Sequence, residues 1–136
     1  MMESFPDHIY VWDIQKNTRI MENNNTANVL GYKMDPTIKA ADLQDFYSSI
    51  VRPDCSEMHR KFREEVHDAR ENEIYEMTLC VKAADGSWKW LNYREKLLRR
   101  DAAGNPHLML GVARDVSALK EAEYDLKQAY DELAAS

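Results

Sequence analysis

The sequence has few cysteines, no long apolar run and no signal peptide, the features of disulfide-rich, membrane-spanning and secreted proteins. Only two cysteines, Cys55 and Cys80, occur in 136 residues. They are too few for a disulfide framework or a four-ligand zinc site, although they could form one bridge. No apolar run approaches the roughly 20 residues of a membrane span, and the start, MMESFPD, lacks the basic and apolar regions of a signal peptide. We therefore expect a cytoplasmic segment without a membrane span, with reduced thiols.

Positive charge and clustered glycines are also scarce. The chain has 18 Lys and Arg against 24 Asp and Glu, a formal net charge of -6. No cluster of basic residues is long enough to follow a phosphate backbone, so we expect no direct nucleic-acid partner. The four glycines are scattered, and neither an HExxH motif nor a paired-carboxylate spacing occurs. These absences predict a domain without a catalytic or metal site, and a small cone-shaped α+β enzyme is the remote alternative.

The residues that are present indicate one α+β domain. Aromatic and β-branched runs predict strands over 8–14, 18–22, 75–81, 88–99 and 107–116. Helical spacing of apolar residues predicts short helices before Gly31, over 42–51 and over 54–70. Asp85-Gly86 predicts a hairpin with a primed turn. Two strands, several short helices and three strands indicate a five-stranded antiparallel sheet with the helices on one face.

Several short motifs, taken in order, resemble the PAS family of sensory domains. They are IYVWDI (9–14), NNNTANVLGY (23–32), Arg52-Pro53-Asp54, ADGSWKW (84–90), DAAGN (101–105) and GVARDVS (111–117). Arg52 replaces the usual histidine of the family's His-Pro-Asp step. The last motif resembles the family's Gly-x-x-x-Asp-Ile-Thr ending, with Val116 and Ser117 in place of Ile and Thr.

The resemblance implies a sheet that curves around a small cavity, with short helices on one face and a C-terminal signalling helix. Residues 1–116 would form the sensory domain, and residues 117–136 a linker helix leading to an effector. The candidate pocket-facing residues are all aromatic: Tyr10, Trp12, Phe46, Phe62, Tyr75, Trp90 and Tyr93. Asp115 and Ser117 would form the junction through which the sheet acts on the helix. Ser117 is also predicted to be the N-cap of that helix, next to the favourable carboxylate of Asp115.

The C-terminal helix carries a short heptad pattern. Six residues are spaced alternately three and four apart, with leucine at every d position: Val116, Leu119, Glu123, Leu126, Tyr130 and Leu133. Glu123 at an a position is poor for a dimeric seam. The pattern therefore leaves two interpretations, a homodimer through Leu119, Leu126 and Leu133, or a helix that packs back on its own domain.

The resemblance also implies a function. The chain would be the sensory input and dimerisation module of a multidomain signalling protein, linked to a sensor histidine kinase or diguanylate cyclase effector. It would bind a small ligand or respond to a partner, and the alternative is a ligand-free dimerisation module for protein–protein contact.

The cofactor is left open. The family's flavin-binding run Asn-Cys-Arg-Phe-Leu-Gln is absent, so we expect no cysteinyl–flavin adduct. Haem-binding members place a histidine on the long helix, but His59 and His67 lie beside its apolar stripe, which predicts surface histidines rather than haem ligands.

Overall fold

The structure is a computed structural model that describes residues 8–23, 30–33 and 40–136. Within these ranges the chain forms five strands and three α-helices. In chain order they are β1 (His8–Asp13), β2 (Thr18–Glu22), α1 (Ala40–Ser49), α2 (Ser56–Glu65), β3 (Ile74–Lys82), β4 (Trp88–Arg100), β5 (Pro106–Asp115) and α3 (Ser117–Ala135). Two short 3₁₀ helices, Pro53–Cys55 and Val66–Asp68, flank α2.

The strands form one antiparallel sheet in the order β2-β1-β5-β4-β3. The first and last strands of the domain are therefore neighbours in the middle of the sheet. The predicted α+β fold class, a five-stranded antiparallel sheet with short helices and a C-terminal helix, is confirmed. This order places β1, β5 and β4 side by side, which brings together residues from the two ends of the domain.

One face of the sheet carries the hydrophobic core. On β4 the residues Leu91, Tyr93 and Glu95 point to this inner face and are buried, as the two-residue period of a strand requires. Phe62 of α2 and the following Val66 are buried against the same face. The core thus lies between the sheet and the helices, and the opposite, outer face carries exposed charged residues such as Arg94.

The helix predicted over 54–70 is shorter in the structure. Its α-helical part is α2, and the ends tighten into the two 3₁₀ turns, which offer partners to backbone groups that an α-helix leaves unpaired at its termini. At its start Cys55 is buried, and its Sγ accepts a hydrogen bond from the backbone N–H of Cys80 at 3.4 Å. Both cysteines are free thiols. The helix predicted before Gly31 falls largely on residues 24–29, outside the described residues.

The hairpin between β3 and β4 uses a different turn from the predicted primed turn. The Gly86 N–H donates to the Ala83 carbonyl at 3.0 Å, and the Ala83 N–H donates to the Ser87 carbonyl at 2.8 Å. Gly86 has φ of +86°, whereas Asp85 does not have a positive φ. A primed turn of type I′ needs positive φ at both central residues, so the positive φ of Gly86 belongs to the bulge that follows the turn.

Helix α3 is exposed along most of its length. No residue within it is buried, and Leu126 is 72% exposed. Leu119 and Leu133 are also exposed. Leu126 and Leu133 therefore do not pack against the described part of their own domain, whereas Leu119 lines a groove on the outer face of the sheet.

Candidate functional site

A small cavity lies between the inner face of the sheet and helices α1 and α2. Its volume is about 30 Å³, which is room for one or two water-sized groups. Among the described residues, those that line it are Tyr10, Trp12, Arg19, Tyr47, Ile50, Val51, His59, Arg63, Met77, Leu79, Val81, Tyr93 and Glu95. The walls are thus largely aromatic and apolar, with two guanidinium groups and one carboxylate among them.

A row of three residues crosses the middle of the sheet beneath the cavity. Tyr10 of β1 pairs with Gly111 of β5, and Gly111 pairs in turn with Glu95 of β4. Because Gly111 has no side chain, the Tyr10 ring lies across it, and the Tyr10 hydroxyl donates to Glu95 Oε2 at 2.5 Å. A glycine at this position is what lets two side chains on non-adjacent strands meet.

Glu95 also forms a buried ion pair with α2. Arg63 Nη2 donates to the same Oε2 atom, and Glu95 is only 1% exposed. The Arg63 guanidinium lies over the rings of Trp12 and Phe62, 4.5 and 4.6 Å from their centroids, an arrangement that favours a cation. Within the described part of the chain, Glu95 Oε1 and Arg63 Nε and Nη1 have no hydrogen-bond partner.

The second arginine, Arg19 of β2, has a largely buried side chain. Its guanidinium lies over the rings of Tyr10 and Tyr47, at 4.5 and 4.4 Å from their centroids. Arg19 Nη1 lies 3.4 Å from Glu22 Oε2, which is 20% exposed and does not line the cavity. The positive charge of Arg19 is therefore balanced from outside the cavity.

The charges and burial of the cavity fix the protonation of its other polar groups. Burial, and then the charges of Arg63 and Arg19, lower the pKa of His59 to about 4, so its imidazole is neutral at pH 7. Burial raises the pKa of Tyr93, and raises that of Tyr10 well above 10. Both phenols therefore remain protonated donors at neutral pH.

The structure brings together three of the seven aromatic residues predicted to face the pocket. Tyr10, Trp12 and Tyr93 line the cavity. Phe62 and Tyr75 are buried in the surrounding core, whereas Phe46 is half-buried and packs edge-on against Tyr32 with 4.9 Å between ring centroids. Trp90 does not belong to this face of the sheet.

Trp90 instead forms the contact between the sheet and the C-terminal helix. It points to the outer face because its neighbour Leu91 points inward. Its backbone N–H donates to Ser117 Oγ at 2.9 Å, and its carbonyl accepts from the Val116 N–H at 2.8 Å. The Trp90 ring lies 5.0 Å from the Arg52 guanidinium and 5.5 Å from the Lys120 ammonium. One residue of β4 therefore contacts both the start of α3 and the segment before α2.

The first turn of α3 differs in detail from the prediction. Val116, not Ser117, is the N-cap residue, and its side chain makes no capping hydrogen bond. Ser117 Oγ accepts from Trp90, and the Ser117 N–H donates to Asp115 Oδ1 at 2.9 Å. The Ser117 hydroxyl does not cap the helix, because it accepts the hydrogen bond from Trp90 of β4 instead.

Sequence reasoning missed the charged residues of the cavity. Arg63 and His59 lie on the side of their helix that the spacing assigns to solvent, yet both line the cavity, whereas His67 is exposed. A signal existed for Glu95, because it continues the alternation of Leu91 and Tyr93 and so falls on the buried face. No pattern in the short strand β2 distinguishes Arg19.

The antiparallel sheet, the small cavity on its inner face and the exposed C-terminal helix together define a sensory domain of α+β type. The family model described as "PAS fold" matches residues 1–116, which is most of the chain. This chain belongs to the PAS family, whose domains are sensory modules rather than catalytic ones. No curated protein sequence matches it, and no helix among the described residues is long and apolar enough to cross a membrane.

Solved structures agree on the fold. A sensory box histidine kinase/response regulator from Burkholderia thailandensis superposes with a TM-score of 0.73 at 18% identity, over 99% of this chain and 95% of that one. The N-terminal domain of a diguanylate cyclase with a PAS/PAC sensor from Marinobacter aquaeolei gives 0.66 at 15% identity, over 84% and 98%. A domain of a light and redox sensing histidine kinase from Haloarcula marismortui gives 0.61 at 17%, over 84% and 92%. At these identities the likeness shows the fold alone.

Proposed function

We propose that this PAS domain is a sensory input module that binds a small ligand in the cavity and passes the change to α3 through β4. The observation that carries the proposal is the position of β4. Tyr93 and Glu95 of this strand line the cavity, and Trp90 of the same strand holds the first turn of α3 on the other face. A displacement of β4 at the cavity would therefore also displace the first turn of α3.

The energetic requirement is a difference in affinity between two states, since a ligand that binds both states equally shifts nothing. The Arg63–Glu95 pair supplies a group that can change partners. A ligand that binds Arg63 would weaken the ion pair between Arg63 of α2 and Glu95 of β4. The position of β4 relative to Ser117 could then change. Asp115 and Ser117 form the junction in this proposal, with Trp90 as their contact on the sheet.

The output element is α3. We propose that residues 1–116 are the sensing domain, and that residues 117–136 form a homodimeric seam through Leu119, Leu126 and Leu133 that leads to a histidine kinase or diguanylate cyclase effector. The exposure of these leucines supports the seam, since apolar residues repeated along a helix face favour a second helix. The two free cysteines fit a cytoplasmic location.

A second candidate is a ligand-free dimerisation module. Two observations favour it: the cavity has a volume of only about 30 Å³, far below the roughly 300 Å³ or more of common ligand sites, and the helix leucines are exposed. The two candidates differ in one expectation. In a dimerisation module, a change inside the cavity has no effect at the first turn of α3.

Tyr10→Phe tests the coupling between the cavity and the helix. It removes the hydroxyl that donates to Glu95 at 2.5 Å and keeps the ring over Gly111. We expect amide hydrogen exchange over Val116 to Lys120 to accelerate, by up to about fivefold, the equivalent of one hydrogen bond of about 1 kcal/mol. Exchange resolved by NMR or mass spectrometry measures this directly.

The matched control is Tyr32→Phe. The Tyr32 hydroxyl also donates at 2.5 Å, but to the Lys82 carbonyl outside the cavity. Its loss should change exchange only around Lys82. Unchanged exchange at the start of α3 in Tyr10→Phe would contradict the proposed route and favour the ligand-free dimerisation module.

A further inference from the structure

A groove lies on the outer face of the sheet, between the strands and the first two turns of α3. Its volume is about 760 Å³. The β4 side chains that line it include Asn92, Arg94 and Lys96. They alternate with Tyr93 and Glu95, which point to the inner face. The groove is therefore a second site, on the face opposite the cavity.

The groove exposes apolar side chains from three elements. Ile74 of β3 is 61% exposed, Leu110 of β5 is 41% exposed and Leu119 of α3 is 58% exposed. All three line the groove, together with the half-buried Val112 and Val116. Contiguous apolar surface of this kind on a soluble domain marks a contact with another molecule.

The charged side chains of the groove do not call for an ionic ligand, because they are largely paired. Arg94 Nε lies 2.7 Å from Glu76 Oε2, and Lys120 Nζ lies 3.9 Å from Glu123 Oε2. Arg114 also has an interaction partner. The occupant of the groove is therefore expected to present an apolar surface.

The heptad stripe of α3 faces this groove at its start. Val116, Leu119 and Glu123 are the first three positions of the heptad pattern, and all three line the groove. A helix that packs on the stripe at this level therefore also contacts the outer face of the sheet. The groove volume of about 760 Å³ is close to that of nearly two turns of a helix about 10 Å across.

We propose that the groove is the docking site for α3 of a second copy of this chain; the inference rests on the homodimeric seam of the proposed function. The seam alone covers only two heptads, fewer than the three or four that identify a coiled coil. Ile74 and Leu110 extend its apolar surface from Leu119 onto the sheet. In a two-fold dimer the contact is reciprocal, so that each copy's α3 occupies the groove of the other.

Leu110→Lys tests the groove without changing α3. We expect the dimer dissociation constant, measured by sedimentation velocity at several protein concentrations, to rise by about tenfold or more, because the substitution places a charge in an apolar contact. The control is Met58→Lys. Met58 is 50% exposed on α2 and does not line the groove, so the dissociation constant should not change.

Cross-linking identifies the occupant. One chain carries Leu110→Cys, the other carries Leu119→Cys or Leu133→Cys, and the equilibrated mixture is treated with a short bismaleimide. The two native cysteines are buried. Because the introduced thiols lie on different chains, a peptide linked from position 110 to position 119 or 133 comes only from a dimer. We expect one of these linked peptides in the mass spectrum.

Three outcomes overturn the inference. The first is an equal dissociation constant in Leu110→Lys and Met58→Lys. The second is a dimer that Leu110→Lys weakens but that gives neither linked peptide, which would place the sheet of the second copy in the groove. The third is protection of Leu110→Cys from maleimide at concentrations where the chain is monomeric, which would place a segment of the same chain there.

The same experiments separate the inference from the proposed function. If Leu126→Lys dissociates the dimer and Leu110→Lys does not, the seam stands and the groove assignment is wrong. If the linked peptides form while Tyr10→Phe leaves exchange at α3 unchanged, the groove assignment stands and the sensory route is wrong.

Discussion

At the scale of single residues, Gly111 decides whether the cavity network can exist. Its backbone is extended, so its conformation does not require glycine. The requirement is space, because a Cβ built there would lie 2.6 Å from the Tyr10 hydroxyl and closer still to the ring carbons. The motif glycine thus allows Tyr10 to reach Glu95 across an intervening strand.

Gly111→Ala should destabilise the domain by about 1–3 kcal/mol, as overpacking of a close-packed core does. In a Tyr10→Val background the clash is gone, and the same substitution should cost much less. Urea unfolding of the four chains gives a double-mutant cycle, in which we expect a coupling of about 1 kcal/mol or more. Simple additivity of the two effects would show that the ring and the glycine do not meet.

At the scale of elements, β4 connects the cavity to the start of α3. It is 13 residues long, and its inner face contributes Tyr93 and Glu95 to the cavity. The Trp90 backbone makes two hydrogen bonds to the start of α3: its N–H donates to Ser117 Oγ, and its carbonyl accepts from the Val116 N–H. The Ser117 hydroxyl is the side-chain part of this attachment.

Ser117→Ala should loosen the attachment of α3 to β4. The Trp90 N–H loses its acceptor in a partly buried position, so we expect its amide exchange to accelerate and the free energy of unfolding to fall by about 1 kcal/mol. Ser136→Ala is the control, because the Ser136 hydroxyl donates to the Leu133 carbonyl at the far end of the same helix. Equal effects of the two substitutions would argue against a specific role for Ser117.

At the scale of the whole molecule, the domain consists of a hydrophobic core between the sheet and the helices and of one exposed C-terminal helix. The cavity lies between the sheet and α1 and α2, whereas the leucines of α3 are exposed. A signalling role requires both parts, because a change in the core has an effect only through an element that a partner can contact. The heptad spacing makes a second copy of α3 the expected partner.

Leu126→Lys should weaken a dimer formed through α3 by about tenfold or more, because it places a charge in the apolar seam. Gln128→Lys adds the same charge at an f position on the opposite face of the helix and should have no such effect. Sedimentation velocity and native mass spectrometry at several protein concentrations measure the dimer, and the latter also detects any retained ligand. Dimers that persist equally in both variants would place the interface on the sheet.

Much of the fold could be predicted because it depends on local patterns. Alternating residues indicated β3 and β4, and the chain order of strands and short helices indicated the antiparallel sheet. The polar half of the site could not be found in this way. Arg63 lies outside the apolar stripe of its helix, and its burial depends on Glu95, 32 residues away.

The sequence by itself determined the family, the number of strands and the heptad spacing of α3, since each depends on residues close together in the chain. Only the tertiary structure decided which charges are buried and which aromatic residues face the cavity. Tyr10 and Glu95 are 85 residues apart and meet only because the first strand pairs with the last. Trp90 and Tyr93 are three residues apart and so lie on opposite faces of β4, but the side on which the helices pack decides that Tyr93 lines the cavity and that Trp90 lies at the start of α3.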